Sequence, residues 1–439
     1  MKSKTRSSPI SNLKWLIPGM GVKRWLALLA FGVTLMGLGA VYFIVVLYRG
    51  GILPRGLYRV LTLQFLSPWG RIGAAVILSL AAIGLALYQL GKSTLTPFLQ
   101  TGGVPLADAV YHHRRLEQGP RIVVIGGGHG LSTLLRGLKE HTSNITAIIT
   151  VADDGGSSGR LRRELNLPPP GDFRNCIAAL SNDEALTTQL LQYRFGFSMN
   201  GKKGSNGELA GHSFGNLYIA AMTGITGSFE KGLEHTSQVL AIQGQILPST
   251  LADVTLVADV REQSSQVGEL HRVAGESQIP KTDGLIEQVY LIPEHAPAYP
   301  AAVRAILTAQ LVVLGPGSLY TSILPNLLVR GIRQALNTTP AQVIYVCNVA
   351  NQSGETDNFD TAEYVQALEH HIGRGIIDSV LANNAIPDNG NSSSTKFVQP
   401  VKLGHVQMVT RDLIDKSVPW QHNSKKLAKA VLSFIKRER

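Results

Sequence analysis

Apolar positions fall in two different patterns along this chain. Near the amino terminus they run without a charged residue from Trp25 to Tyr48 and again from Ile72 to Leu90. At about 1.5 Å of rise per residue, each stretch is long enough to cross a hydrocarbon layer of roughly 30 Å. Neither shows the polar stripe of a helix that is half buried in a soluble core. Trp25, Tyr42, Tyr48, Trp69 and Tyr88 stand at or near the ends, as interfacial aromatics do. The pattern predicts a transmembrane hairpin over 25–90, with helices at 25–48 and 72–90, after a basic tail (1–24). A cleaved signal peptide is disfavoured, because the first run is long and a second comes after it.

From Arg121 onward the pattern changes to short runs. RIVVIGG (121–127), ITAIITV (145–151), LVVLG (311–315) and VIYVCNV (343–349) are nearly continuous apolar strands. Such strands belong in a parallel sheet covered on both faces. Helical stretches near 131–140, 174–194, 213–223, 320–336 and 360–371 can cover them. The fold class expected is α/β, a doubly wound Rossmann-like parallel sheet over 120–439, after a linker (91–119) with a short polar helix near 106–118. TLVADV (255–260) and LIEQVYLIP (285–293) read as a β insertion, 384–397 as an exposed loop, and the last fifteen residues as a basic amphipathic helix. There is no internal repeat.

Charge sharpens the division. The formal net charge is +11, and residues 1–107 hold eleven basic residues and no acid, the first being Asp108. The excess therefore sits on the apolar arm and not on a folded basic face, so no nucleic-acid partner is expected. The lipid bilayer is the expected partner instead. Six basic residues in the tail, four in the connecting loop, and Lys92, Arg114 and Arg115 after the second span favour a two-pass protein of the cytoplasmic membrane. Its tail and large carboxy-terminal part would face the cytoplasm, with the loop lying on the membrane surface. Cys176 and Cys347 cannot form a disulfide framework or a cysteine-only metal site. A homo-oligomer is compatible with the sequence.

The chemistry is carried by the turn at the end of each strand. After the first come Gly127, Gly128, His129 and Gly130, where backbone N–H groups at a helix start can approach a phosphate. A tight strand-to-helix turn is the plainer reading. The loop is not the dinucleotide fingerprint, because Thr133 occupies the third glycine position. After the second come Asp153 and Asp154, candidates for a nucleotide hydroxyl or for a Mg2+ ion bridging to phosphate, with helix capping as the alternative. After the third come Gly317 and Ser318, and after the fourth Asn348, Thr356 and Asp357. In an open α/β sheet these loops should converge on one crevice.

Two further stretches join the candidates. Arg174 and Asn175 lie at a helix start, where Arg174 could grip phosphate or pair with Asp172. His212, Ser213 and Asn216 lie around Gly211-His212-Ser213-Phe214-Gly215, a G-x-S-x-G match without the preceding strand a nucleophile elbow needs. The histidines show no metal-ligand spacing.

The set VVIGGGHGLSTLLRGLK, ITAIITVADDGGSSGRLRRE, PPPGDFRNCIAALS, GHSFGNLYIAAMT, LGPGSLYTSILPNLLV and NVANQSGETDNF resembles the YvcK/CofD-like family, nearest its gluconeogenesis-factor (YvcK-like) branch. The resemblance covers 120 to about 439 and omits the arm, which typical members lack. It implies a CofD-like nucleotide-binding domain that binds a nucleotide sugar of the UDP-N-acetylglucosamine type and supports gluconeogenic growth and cell shape. The more distant CofD branch implies a 2-phospho-L-lactate transferase, moving a phospholactyl group from a nucleotide-activated donor to a deazaflavin with magnesium. On that reading Asp153 is the candidate catalytic residue. The family loop usually reads G-G-T-G, and here an imidazole, His129, replaces the threonine hydroxyl.

Overall fold

The computed structural model describes residues 22–52, 54–95, 114–196, 207–262, 269–385 and 396–435. The chain divides into two compact units, Met1–Arg115 and Leu116–Arg439.

In the first unit, α1 (Val22–Arg49), α2 (Arg55–Leu61) and α3 (Pro68–Leu95) succeed one another. The stretch Leu29–Arg49 is, among the described residues, the one helix long and apolar enough to cross a membrane, with a mean hydropathy of 2.3 and none of it buried. The second expected span does form a helix, α3, but it does not meet that measure over its described residues. The basic tail (1–24) lies largely outside the described residues, as does most of the linker.

The second unit is built on a seven-stranded sheet, parallel throughout. The predicted strands are β1 (Ile122–Gly126), β2 (Ile145–Ile149), β7 (Leu311–Leu314) and β8 (Gln342–Val346). The sequence pattern missed β3 (Gln245–Pro248), β9 (Ser379–Asn383) and β10 (Gln407–Arg411). The order across the sheet is β10-β9-β8-β7-β1-β2-β3. The predicted strands occupy its middle, where both faces are covered, so nearly every residue in them is buried. β3 and β10 are the sheet edges; β10 is only half buried and needs no continuous apolar run, while β3 is only four residues long and ends on Pro248. The predicted insertion is a separate antiparallel sheet formed by β4 (Thr255–Arg261), β5 (Leu270–Ala274) and β6 (Leu285–Ile292), in the order β5-β4-β6.

Two predicted helices are broken. The helix expected over 174–194 is Gly171–Leu180 followed by Glu184–Gln192, because Asp183 caps a new start by accepting from the Leu186 amide at 3.3 Å. The stretch 320–336 opens as a π turn (Leu319–Ile323) and continues as Leu324–Leu327 and Arg330–Thr338. The closing basic helix is Ser424–Leu432. Most of the loop 384–397 is outside the described residues.

Strand order turns around between β1 and β7, since the chain builds outward from β1 through β2 and β3 on one side and through β7 to β10 on the other. That is the topological switch point, where the carboxyl ends of neighbouring strands open a crevice.

Candidate functional site

A crevice of about 560 Å³ lies at this switch point, within the size range of small-molecule sites. The loop after β1 supplies Gly127, Gly128, His129 and Gly130, and Thr133 lies just beyond, on the second turn of the helix Gly128–Leu138. The loop after β7 supplies Pro316, Gly317 and Ser318, and the loop after β8 supplies Asn348 to Gln352. Asp153 enters from the loop after β2. The four predicted loops therefore share one hollow.

Backbone crowding sets the shape. A Cβ on Gly130 would stand 2.8 Å from the carbonyl oxygen of Pro316, so the first and third loops can touch only with glycine there. Gly315 has φ +76°, the left-handed region that favours glycine, and turns the chain from β7 into the third loop. The third and fourth loops are tied by Asn348 Nδ2 donating to the Gly317 carbonyl at 3.0 Å and Gln352 Nε2 donating to Ser318 Oγ at 2.8 Å. Buried Glu355 reinforces that tie, with Oε1 accepting from Thr321 Oγ1 at 2.9 Å.

One end of the crevice is acidic. Asp153 Oδ1 accepts from the Gly155 amide at 2.9 Å. Its carboxyl is pushed up by burial and by Asp154, against the lowering effect of its hydrogen bonds. Asp172 sits under the glycine loop: a Cβ on Gly127 would come within 2.4 Å of its Oδ2. Burial, then the Asp153 charge, raise its pKa to about 6, although the Gly128 amide donates to it. Glu276, from the turn after β5, is raised to about 8 by burial and by Asp153, Asp172, Asp154 and Glu355. Clustered acids that resist ionisation together mark functional sites more often than structural ones.

Among the described residues, no three His, Cys, Asp or Glu side chains stand as a metal cage. Magnesium, however, is held by one or two carboxylates with substrate phosphates and waters completing the shell. Asp153 and Asp172 fit that role beside the glycine-loop amides, and the ion would supply charge neutralisation there.

The remaining sequence candidates lie behind the wall. Arg174 is buried and committed, donating to Ser213 Oγ (2.7 Å), Asn216 Oδ1 (3.1 Å) and Asn175 Oδ1 (2.9 Å). It makes no ion pair with Asp172, so the surface pair is not formed, and its guanidinium donates within this buried network instead. Asn216 continues the network to Ser157 Oγ at 3.1 Å, and His212 Nδ1 lies 3.0 Å from the same hydroxyl. Ser213 caps the helix Phe214–Thr226 and is no nucleophile elbow. Asp154 accepts from the Ser277 amide at 2.9 Å and thereby holds the turn that carries Glu276. Thr356 and Asp357 shape the fourth loop, bonding the Gln352 and Gly354 amides at 3.1 and 2.8 Å.

Sequence reasoning passed over Asp172, Glu276, Gln352 and the segment Trp420–His422, all on the crevice wall. Asp172 was visible in PGDFRN but read as a partner of Arg174. Glu276 and Trp420 carry no local pattern, apart from an isolated tryptophan in a polar loop.

The model of the family described as 2-phospho-L-lactate transferase CofD matches residues 122–434. A Nostoc protein named as a gluconeogenesis factor is 42% identical over 99% of this chain and 95% of its own length. The Bacillus subtilis gluconeogenesis factor is 49% identical over 62% of this chain and 82% of its own. A crystal structure of a Bacillus halodurans protein superposes with a TM-score of 0.64 at 41% identity, covering 72% of this chain and all of that one. The family model begins at residue 122, as the resemblance does, while the Nostoc alignment runs on through the apolar arm.

Proposed function

This chain belongs to the CofD family, with relatives named as gluconeogenesis factors, and on that premise we propose that it is a membrane-anchored binding protein for a nucleotide sugar of the UDP-N-acetylglucosamine type. Binding would link carbon status, including gluconeogenic growth, to envelope synthesis and cell shape. One observation carries the reading: at the switch-point crevice, glycine-loop amides form one wall and the carboxylates of Asp153, Asp172 and Glu276 one end. Amides at a helix start suit a diphosphate, and carboxylates suit the hydroxyls of a sugar.

Calorimetry on the full chain in detergent tests it. UDP-N-acetylglucosamine should bind, and Gly130→Val, which forces the first and third loops apart, should weaken binding at least about tenfold, or ~1.4 kcal/mol. Absence of heat at millimolar ligand with folded protein would sink the reading.

The carboxylate cluster also supports a second reading, a phospholactyl-type transferase with a deazaflavin acceptor. In-line transfer needs positioning and charge neutralisation more than a nucleophile. Asp153→Asn should then cost about 100-fold in turnover, whereas a pure binder would change only in affinity.

For the arm, the reading is a two-pass anchor made by α1 and α3 with the α/β unit in the cytoplasm. It draws support from the apolar, exposed surface of α1 and from the basic tail. A topology reporter fused after Arg439 that worked only outside the cytoplasm would overturn it.

A further inference from the structure

The loop near the carboxyl end that closes the crevice has no part in the nucleotide-sugar reading as it stands. Trp420 and His422 line the same hollow as the glycine loop although they lie some 290 residues further along the chain. Two independent features single them out. Trp420 is 53% exposed, so a broad aromatic face is left uncovered at a polar crevice. His422 is only 9% exposed, yet its Nε2 has no hydrogen-bond partner in the protein. A buried polar atom left unpaired is costly, and such an atom beside a crevice points to a ligand. Burial holds the His422 ring neutral, with its pKa down at about 4, while the ring also donates to the Cys347 carbonyl. The free nitrogen is therefore an acceptor.

The loop that carries them is held on every side. Asp415 N–H donates to the Gln421 carbonyl at 2.9 Å, Asn423 N–H to the Leu413 carbonyl at 2.7 Å, and Leu413 N–H to Asn383 Oδ1 at 3.1 Å, at the end of β9. Asn423 then caps the helix Ser424–Leu432. That helix packs on the glycine-loop helix so closely that a Cβ on Gly137 would lie 2.1 Å from the Ser424 carbonyl oxygen. The backbone that carries the indole and the imidazole is thus held relative to the glycine-loop amides.

We propose that Trp420 and His422 form a subsite for a planar heterocycle carrying a ring N–H, with Trp420 stacking on its face and His422 Nε2 accepting that N–H. The proposal rests on the nucleotide reading of the crevice and names its ring-binding end. The pyrimidinedione of a uridine nucleotide and that of a deazaflavin share this chemistry, and the experiment separates them.

Trp15, Trp25 and Trp69 all lie in the arm, so Trp420 is the single tryptophan of the α/β unit and reports on its own crevice. The full chain in detergent is titrated with UDP, with a 5-deazariboflavin, and with N-acetylglucosamine 1-phosphate, which has no ring N–H heterocycle. A ring-bearing ligand should quench the emission of the parent. Trp420→Phe should abolish that quench and keep affinity within about threefold, because it still stacks. Trp420→Ala should weaken ring-bearing ligands roughly 10- to 100-fold and leave the sugar phosphate unchanged. His422→Phe should weaken them about tenfold and leave the sugar phosphate unchanged, with a small drop in melting temperature because the Cys347 carbonyl loses its donor. Quenching by the deazariboflavin alone keeps the subsite and sinks the nucleotide-sugar reading. Heat with UDP-N-acetylglucosamine but no change in Trp420 emission keeps that reading and overturns the subsite. No quench and no heat with either ring-bearing ligand, or equal losses for UDP and the sugar phosphate in Trp420→Ala, also overturns it.

Discussion

The arm and the α/β unit are both rich in apolar residues, yet they use them in opposite ways. In α1, Phe31, Leu35, Met36 and Leu38 all point outward, between 52 and 73% exposed. In β2, Ile145, Ile148 and Ile149 are at most 1% exposed. The first arrangement suits a solvent that is itself apolar, and the second makes the protein its own apolar solvent. Charge obeys the same division. Residues 1–107 hold no acid at all, while the α/β unit gathers several around one crevice.

The largest effect that could break this comparison comes from placing one carboxylate in each setting. Ile148→Asp puts an unpaired charge in the centre of the sheet and should cost more than about 4 kcal/mol, leaving no cooperative melt by circular dichroism. Phe31→Asp, at a residue 62% exposed, should leave the melt of the α/β unit in place and instead reduce membrane retention in fractionation. Similar melts for the two variants would refute the contrast.

A smaller effect sharpens the electrostatic half. Glu276 titrates near 8 when folded and near 4.5 when unfolded, so the folded state holds the extra proton between those values. Stability should therefore be fully present below about pH 4.5 and fall as pH rises toward 8. Glu276→Gln should remove the part of this slope above about pH 6, leaving the part that Asp172 contributes below it, and gain on the order of 1–3 kcal/mol at about pH 9, read from urea melts across pH. A parent curve that is flat over the window would show that the acids do not crowd one another.

The smallest concerns a local device. Asp360 and Glu363 form a capping box at the start of Thr361–Ile372, with the Glu363 amide donating to Asp360 Oδ1 at 2.9 Å. Asp360→Ala should cost about 1 kcal/mol, a drop of a few degrees in melting temperature, without altering ligand affinity. A change in affinity would mean that the cap also positions the fourth loop.

Most of the scaffold was legible because its signals are local. Continuous apolar runs identified the four central strands, and the two long uncharged stretches identified α1 and α3. The glycine and polar loops after those strands were legible too, since a strand tip must turn somewhere. The sheet edges were less so, because β10 is only half buried and β3 is four residues long and ends on Pro248. For the site, Gly127, Gly128, His129, Gly130, Asp153, Gly317, Ser318 and Asn348 reached the crevice, while Arg174, His212, Ser213 and Asn216 formed a buried network behind it. A polar residue at a helix start looks the same in sequence whether it faces a ligand or a neighbouring side chain.

By itself the sequence determined a long apolar arm with a basic bias and a parallel α/β core with glycine- and polar-rich turns at its strand tips. Those features come from hydropathy period, charge and glycine placement, which are properties of neighbouring residues. The tertiary structure decided which acids share a crevice and which aromatic borders it. Asp172, Glu276 and Trp420 come from a helix start, an antiparallel insertion and the end of the chain. Only the order of strands across the sheet, and the docking of the last helix on the glycine-loop helix, brings them together.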